Sequence, residues 1–212
     1  MTMPETTPKL VFATNNRHKL EEIRRMAGGR IEILSLADIG CHDDIPETAD
    51  TLLGNALIKA RWVKERYGHD CFADDTGLMT DALGGEPGVY SARYAGEHCS
   101  PDDNIDLLLR RLEGVPTERR TARFSTVIAL VRDCDGTHTF EGTVEGRIDT
   151  RRHGSGGFGY DPVFIPDETG ISFALMSADD KNAISHRGRA TRLLLRHLGI
   201  PQDTPHTENT TL

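Results

Sequence analysis

Apolar and polar positions alternate along this chain in a way that predicts an ordered series of strands and helices. Apolar runs and strict alternation predict strands, whereas apolar residues that recur every three or four positions predict helices. The predicted strands cover residues 10–13, 31–36, 70–73, 121–131, 137–148 and 162–165. The predicted helices cover residues 19–27, 48–67, 102–112 and 189–198, with a helical turn at 179–185.

This order of elements predicts an α/β protein with a mixed sheet, because strands and helices alternate first and a long hairpin follows. A length of 212 residues suits one large domain or two closely packed lobes. We predict one domain over residues 1–200 and a disordered polar tail over residues 201–212. Residues 84–100 are rich in glycine and should form a long loop, and loops of that length are usually functional or disordered.

Composition narrows the class of protein. The net charge of −8 argues against a protein that binds nucleic acid through many phosphate contacts. No apolar run approaches the length of a membrane span, and the first residues lack a signal-peptide core. The four cysteines, Cys41, Cys71, Cys99 and Cys134, are far apart, which disfavours a zinc ribbon and fits reduced thiols. We therefore expect a cytoplasmic protein with neither a nucleic-acid nor a membrane partner.

Two adjacent carboxylates, Asp74 and Asp75, follow a short mixed run, residues 70–73, whose last three residues are apolar, and precede Thr76-Gly77. We expect the strand to end there, since glycine after a short run usually marks a turn. Carboxylates at the carboxyl end of a strand in an α/β sheet lie where ligands bind, and a pair of them can hold Mg²⁺. Alone, the dipeptide is more typical of an exposed turn, so its importance depends on the other polar segments.

The first of these segments connects the first strand to the first helix and consists of Thr14, Asn15, Asn16, Arg17, His18 and Lys19. Free N–H groups at a helix N-terminus suit a phosphate group, and Lys19 adds a positive charge. An ordinary asparagine cap with an exposed lysine explains the residues equally well. The Walker motif of P-loop proteins is absent.

Glu47, Asn55 and Lys59 form a second candidate group. Asn55 and Lys59 are four residues apart and therefore share one helical face. That polar stripe faces either solvent or a ligand, and solvent is the simpler interpretation. Gly54 in the same helix costs about 1 kcal/mol relative to alanine, which predicts a local contact that excludes a side chain.

Two later segments could bind an oxygen-rich or aromatic ligand. In residues 156–162, glycines allow close approach of a ligand, Phe158 could stack on a base, and Asp161 could accept hydrogen bonds. A hairpin loop with one buried aromatic residue is the alternative. Lys181, His186 and Arg187 would suit an acidic ligand, or they form an exposed basic turn before the last helix.

Together these segments closely resemble the inosine triphosphate pyrophosphatase family. The matching residues are 13–22, 47–48, 54–61, 73–78, 83–96, 156–164 and 185–188, in the order of the family. The resemblance implies an elongated α/β fold with a long curved mixed sheet, two lobes around a cleft, and a homodimer. It also implies hydrolysis of ITP, dITP and XTP to the monophosphate and pyrophosphate with Mg²⁺.

The resemblance further implies a role for each matching position. Thr14, Asn16 and Lys19 would hold the triphosphate together with their neighbours Asn15, Arg17 and His18, and Lys59 would face phosphate. Glu47 and Asp75 would bind Mg²⁺ with Asp74 as support, and Asp75 would also be the general base. Thr76 would contact substrate, Phe158 would stack on the purine beside Gly159, Tyr160 and Asp161, and Lys181, His186 and Arg187 would read the base edge.

Some positions depart from the family pattern. Gly54 stands where a glutamate is frequent, Leu52 replaces a common phenylalanine, and Met79-Thr80 replaces a more usual pair. These changes bear on the surroundings of the metal and on specificity. Two rival functions remain open: a Maf-like pyrophosphatase acting on dTTP, UTP or modified nucleotides, and a nucleotide sensor without turnover. The Ser-His-Arg segment favours the inosine-type enzyme over the first, and the retained carboxylates argue against the second.

Overall fold

The computed structural model describes residues 8–201, and their strands form one curled mixed sheet flanked by five α-helices. The strands are β1 Lys9–Phe12, β2 Glu32–Leu34, β3 Cys71–Thr80, β4 Pro87–Gly88, β5 Thr121–Arg132, β6 Gly136–Ile148 and β7 Phe164–Pro166. The α-helices are α1 Arg17–Ala27, α2 Leu52–Tyr67, α3 Pro101–Arg111, α4 Ala178–Ile184 and α5 His186–His197. Apart from Pro201, the tail predicted to be disordered lies outside the described residues.

The sheet changes from parallel to antiparallel at β3. The strand order is β2-β1-β3-β5-β6-β7, and β4 also pairs with β3. Strands β2, β1 and β3 are parallel, whereas β5, β6 and β7 continue the sheet in antiparallel pairs. The prediction of an α/β fold with a mixed sheet is confirmed, and the single-domain boundaries stay a prediction.

The predicted end of β3 was wrong, because the strand continues to Thr80. All ten of its residues pair with β5, and Asp74 and Asp75 lie opposite Ile128 and Val127. Gly77 does not break the strand: a Cβ there would lie 2.7 Å from the carbonyl oxygen of Gly88, so glycine lets β4 approach. The two carboxylates therefore lie within β3, just beyond the residues that pair with β1.

Two helices and one loop also differ from the predicted elements, each for a local reason. Helix α2 begins at Leu52, after Thr51 accepts a hydrogen bond from the Gly54 N–H, and α5 begins at His186, capped by Ser185. The loop predicted over residues 84–100 contains the short strand β4. The predicted contact that excludes a side chain at Gly54 is present, because a Cβ there would lie 2.5 Å from the Cβ of Ala49.

Alternating residues of the central strands fill two separate cores, as the two-residue period of a strand requires. Leu10, Phe12 and Phe72 pack with α1 and α5 on one face, and the rings of Phe12 and Phe72 stack at 4.5 Å. Val11 and Ala73 pack against α2 on the opposite face. This double coverage holds the centre of the sheet rigid from both sides.

A third core lies at the other end of the sheet, where Phe124 and Phe164 pack against α3 and the segment around Phe173. The candidate site lies between the two central cores and this third core, and its lining includes Ala13 from the centre of the sheet and Phe124 from the third core. Within residues 8–201, no helix combines the length and the apolar character needed to cross a membrane.

Candidate active site

A cavity of about 810 Å³ brings together most of the side chains predicted to be functional. Those that line it are Thr14, Asn15, Asn16, His18, Lys19, Glu47, Lys59, Asp75, Thr76, Phe158, Gly159, Tyr160, Asp161, Lys181, His186 and Arg187. Two predicted residues do not line the cavity. Arg17 is exposed at the first position of α1, and Asp74 lies behind the cavity wall.

Asp74 is a buried counter-ion for two cations of the cavity. Its Oδ1 accepts a hydrogen bond from Nζ of Lys19 at 2.9 Å, and its Oδ2 accepts one from Nε of Arg187 at 3.0 Å. Burial alone would raise the pKa of Asp74, but the charges of Lys19 and Arg187 outweigh it and hold that pKa well below its usual range. Because both oxygens are occupied, Asp74 positions its neighbours and is not placed as a direct metal ligand.

Asp75 and Glu47 converge on one ammonium group. Nζ of Lys59 lies 2.6 Å from Oε1 of Glu47 and 3.1 Å from Oδ1 of Asp75, while Asn55 donates to Oδ2 of Asp75 at 3.3 Å. Asn55 and Lys59 are buried, so the interpretation of their stripe as solvent-facing was wrong. The stripe holds the two carboxylates because α2 packs this face against β3.

The environments of Asp75 and Glu47 shift their acidities in opposite directions. Burial raises the pKa of Asp75, and the nearby Lys59 offsets only part of that effect. Burial also acts to raise the pKa of Glu47, but Lys59 outweighs it and the net pKa is lowered. Asp75 is therefore the better proton acceptor of the pair, whereas Glu47 stays ionised more readily.

The start of α1 forms the wall next to Lys19. Oδ1 of Asn16 caps the helix by accepting a hydrogen bond from the Lys19 N–H at 3.2 Å, and the Asn16 N–H donates to Thr14. Asn16 is therefore an ordinary helix cap, and the turn that contains it also lines the cavity. Burial lowers the pKa of Lys19 despite its contact with Asp74. Next to Lys19, the exposed ring of His18 stacks on Phe158 at 5.3 Å.

Phe158 forms an aromatic platform beside two cations. Nζ of Lys181 lies 4.6 Å and Cζ of Arg187 lies 5.3 Å from the centre of its ring. Asp161 fixes this corner, because its Oδ2 accepts hydrogen bonds from Nζ of Lys181 at 2.7 Å and from the Phe158 N–H at 2.8 Å.

Glu22 is a site residue that sequence reasoning missed. Its two oxygens accept hydrogen bonds from Lys181 at 3.1 Å and from Arg187 at 2.6 Å, so one carboxylate joins α1 to α4 and α5. Burial acts to raise the pKa of Glu22, but Arg187 and Lys181 lower it overall. Its position three residues after Lys19, on the same face of α1, was the signal that could have identified it.

His186 offers an unused hydrogen-bonding atom inside the cavity wall. Its ring stacks on Phe124 at 4.5 Å, and within residues 8–201 its Nδ1 has no hydrogen-bond partner. Burial, together with the charges of Arg187 and Lys181, holds the pKa of His186 well below its usual value, so the imidazole is neutral. A buried polar atom without a partner is uncommon, and His186 is one of the residues that line the cavity.

Close packing fixes the backbone that carries His186. Helix α5 crosses β6 at Gly142, where a Cβ would lie 2.6 Å from the backbone nitrogen of Ala190 and would also collide with the carbonyl of His186. Only glycine allows this approach. The start of α5, with His186 and Arg187, is consequently set against the sheet.

The fold and the cavity define an α/β protein with a site suited to a nucleotide polyphosphate. Lysines and a helix N-terminus can contact phosphate groups, carboxylates can contact a hard cation, and Phe158 can stack on a base. The chain belongs to the Ham1 family, whose family model matches residues 10–197.

Similar proteins agree with this assignment over nearly the whole chain. A protein of Porphyromonas gingivalis named dITP/XTP pyrophosphatase is 58% identical, with 88% of this chain and 95% of that protein covered. A protein of Flavobacterium psychrophilum with the same name is 51% identical and covered over 97% of its length, against 88% of this chain. The family resemblance seen in the sequence is confirmed.

Solved structures show the same fold. The Ham1 protein of Staphylococcus aureus matches with a TM-score of 0.82 and 36% identity over 90% of this chain and 98% of that chain. A HAM1 protein of Coxiella burnetii also has a TM-score of 0.82, with 35% identity over 91% of this chain and 98% of the other. The expected curved mixed sheet with flanking helices is therefore the fold of the family.

Replacing Asp74 with asparagine should destabilise the protein in a pH-dependent way. Loss of its charge leaves Lys19 and Arg187 buried without this counter-ion, so we expect a loss of about 3 kcal/mol at neutral pH. Because the folded-state pKa of Asp74 is depressed, its stabilisation is complete above the unfolded-state pKa of about 3.9 and is lost as the pH falls through the folded-state value. Urea unfolding of both proteins from neutral to acidic pH measures the difference.

Asp50→Asn is the matched control, since Asp50 is an exposed aspartate and its substitution should change the unfolding free energy by no more than about 0.5 kcal/mol. A difference between wild type and Asp74→Asn that stayed constant from neutral pH to about pH 3 would contradict an ionised, ion-paired Asp74.

Proposed function

We propose that this protein hydrolyses the non-standard purine nucleoside triphosphates ITP, dITP and XTP to the monophosphate and pyrophosphate, which removes them from the nucleotide pool. The observation that carries the proposal is the buried carboxylate of Asp75, with its raised pKa, in the same cavity as two lysines and an aromatic platform. The names of the relatives that are 51% and 58% identical support the substrate class.

The phosphate groups would lie along the wall formed by the start of α1 and by α2. Lys19 and Lys59 both line this part of the cavity, and Thr14, Asn15 and Asn16 present polar groups beside them. Arg17 is exposed at the same helix start and would contact the outer phosphates, whereas His18 stacks on Phe158 and would move aside when a base binds there. Positive groups at these positions would stabilise charge that develops on the departing pyrophosphate.

Glu47 and Asp75 fit a Mg²⁺ site, because one oxygen of each already lies within 3.1 Å of the same cationic atom, Nζ of Lys59. Carboxylate oxygens are also the ligands that Mg²⁺ prefers. When bound, Mg²⁺ would offset phosphate charge and lower the pKa of a coordinated water. Asp74 would support the site indirectly, through the cations that it holds.

Asp75 would act as the general base. It would accept a proton from the water whose oxygen forms a bond to the α-phosphorus, while the bond from that phosphorus to the bridging oxygen breaks and pyrophosphate leaves. An ordinary aspartate is a weak base at neutral pH, and burial makes Asp75 a stronger one. Asn55 would orient the carboxylate, and Thr76 would contact the substrate from the next position of β3.

Base selection would occur at Phe158 and the residues around it. Hypoxanthine and xanthine carry a keto oxygen at position 6 where adenine carries an amino group. Lys181 and the neutral His186 can donate to that oxygen, whereas adenine would leave donors facing a donor. Arg187 already uses three of its donors on Asp74, Glu22 and Thr76, so it would mainly set the position of the platform. Gly159, Tyr160 and Asp161 would shape the same corner.

Release of pyrophosphate from ITP, XTP, dITP, dUTP, dTTP, GTP and ATP, with Mg²⁺ and with EDTA, tests the function directly. We expect strong release from ITP, dITP and XTP that EDTA abolishes, and little release from ATP and GTP. Preference for a pyrimidine nucleotide would instead support a Maf-like activity. Nucleotide binding without any release would support a sensor, and either result would overturn the proposal.

Asp75→Asn should lower kcat by on the order of 10²–10⁴-fold, because the amide cannot accept the water proton. Binding of a non-hydrolysable dITP analogue, measured by calorimetry, should be retained. Asp44→Asn is the matched control, since Asp44 also lines the cavity but is exposed and contacts neither Lys59 nor Asn55 in the described hydrogen bonds. Near-normal kcat in Asp75→Asn would exclude Asp75 as the base.

Phe158→Ala should raise KM for dITP by roughly 5- to 150-fold, since stacking of a base on an aromatic ring contributes about 1–3 kcal/mol. We expect a smaller change in kcat, because Phe158 is not among the groups that move the proton. Phe158→Tyr keeps the ring and should keep KM close to that of the wild type. Equal KM values for all three proteins would show that the base does not stack there.

The homodimer, the cytoplasmic location and the identity of the metal remain predictions from the resemblance and the composition.

A further inference from the structure

Three potential metal ligands meet on the surface, at a place that does not line the active-site cavity. Asp135 lies in the turn between β5 and β6, His138 lies on β6, and His197 is the last residue of α5. Each can offer one ligand atom, and these atoms all lie within 4.8 Å of one another. The cluster, which we call the Asp135–His138–His197 cluster, has no role in the proposed hydrolysis.

The spacing of this cluster approaches that of a tetrahedral metal site. Oδ2 of Asp135 lies 3.0 Å from Nε2 of His197 and 3.5 Å from Nε2 of His138. Two ligands with bonds of about 2.0–2.1 Å to a tetrahedral zinc ion are about 3.3 Å apart. Nε2 of His138 also lies 2.9 Å from the carbonyl oxygen of Asp135, and it would exchange that contact for the metal ion. Both histidine rings are part of the accessible surface, so they can adjust.

Neighbouring groups hold the three side chains in place. Arg132 donates from Nε to Oδ1 of Asp135 at 2.9 Å and also contacts Oδ2, so the carboxylate is oriented from behind. The ring of Phe140 lies 5.3 Å from that of His197, which in turn lies 4.2 Å from the ring of His138. Such outer contacts orient the ligands of metal sites and strengthen binding.

The local electrostatics also favour a cation, although Arg132 reduces the effect. Both oxygens of Asp135 accept hydrogen bonds from Arg132, which offsets part of the negative charge that the carboxylate offers to a cation. His197 ends α5, where the helix dipole presents its negative end. Asp133 in the same turn adds a second carboxylate, although its Oδ2 lies 2.7 Å from Nζ of Lys64 and is therefore paired.

We propose that Asp135, His138 and His197 bind one divalent transition-metal ion, with zinc as the representative case. Two imidazoles and one carboxylate suit zinc, copper or nickel, whereas Mg²⁺ prefers oxygen ligands only. The site thus differs in chemistry from the pair Glu47 and Asp75. Three protein ligands at an accessible surface leave a fourth position for water.

A metal ion at this place would tie the end of α5 to the β5–β6 turn. Helix α5 begins with His186 and Arg187 of the active site, and its packing on β6 sets their position. An ion that binds only the folded protein stabilises it in proportion to its free concentration relative to Kd. We therefore expect zinc to raise the thermal stability of the protein. This inference does not depend on the proposed function.

Calorimetric titration of the full chain with ZnCl₂ tests the site. Excess Mg²⁺ is present so that Glu47 and Asp75 of the active-site cavity are occupied. We expect one zinc ion per chain and a loss of affinity of at least about tenfold in each of His138→Asn and His197→Asn. Zinc should raise the Tm of the wild type but not that of the double variant, which carries both His138→Asn and His197→Asn. Visible absorption of bound Co²⁺ should reveal imidazole ligands in the wild type and disappear with the double variant.

His98→Asn is the matched control, because His98 is exposed and lies outside the cluster. It should bind zinc like the wild type, and circular dichroism should show that all variants are folded. Absence of zinc binding in the wild type would overturn the proposal. Unchanged affinity in the folded double variant would also overturn it, since the ion would then be held elsewhere.

Discussion

The ionised carboxylate of Asp74 is the interaction on which the rest of the cleft depends. It lies inside the sheet with a fully buried side chain, and it holds Lys19 of α1 and Arg187 of α5 through separate oxygens. Glu22 then extends the network from Arg187 to Lys181. Helix α1 and the consecutive helices α4 and α5, which lie far from α1 in the sequence, are thereby fixed to one strand. Partly satisfied networks of this kind are unfavourable, so each member depends on the others.

Because Asp74 and Asp75 are adjacent in one strand, their side chains enter two different environments. Successive residues of a strand point to opposite faces. Asp74 accordingly meets α1 and α5, whereas Asp75 meets Lys59 and Asn55 of α2. The two environments shift the two pKa values in opposite directions, downward for Asp74 and upward for Asp75. Separation of carboxylate acidities by environment is how one site can hold both a permanent charge and a proton acceptor.

The sequence allowed the order of elements and most of the cavity to be predicted, because both depend on local patterns and on matching segments. The length of β3 could not be predicted, since pairing of its second half with β5 joins residues about fifty positions apart, as Thr76 with Thr126 shows. The orientation of the Asn55 and Lys59 stripe depended on which face of α2 is buried, and helical periodicity alone leaves that open. Glu22 was missed because its partners lie on α4 and α5, more than 150 residues later.

Charge balance in the cavity argues for an additional cation when a triphosphate binds. The cationic groups there already have carboxylate partners: Lys19 pairs with Asp74, Lys59 with Glu47 and Asp75, Lys181 with Glu22 and Asp161, and Arg187 with Asp74 and Glu22. Arg93 adds a further contact to Glu47 at 3.4 Å.

A triphosphate that enters this cavity would therefore find little uncompensated positive charge. It would have to draw the lysines away from their carboxylates, and Asp75 and Glu47 would then be left facing phosphate oxygens of like charge. A divalent cation held by Asp75 and Glu47 would remove that repulsion and leave Lys59 free to contact phosphate. The close approach of Asp75, Glu47 and Lys59 is therefore what the proposed binding of a cation and a phosphate group at one place would require.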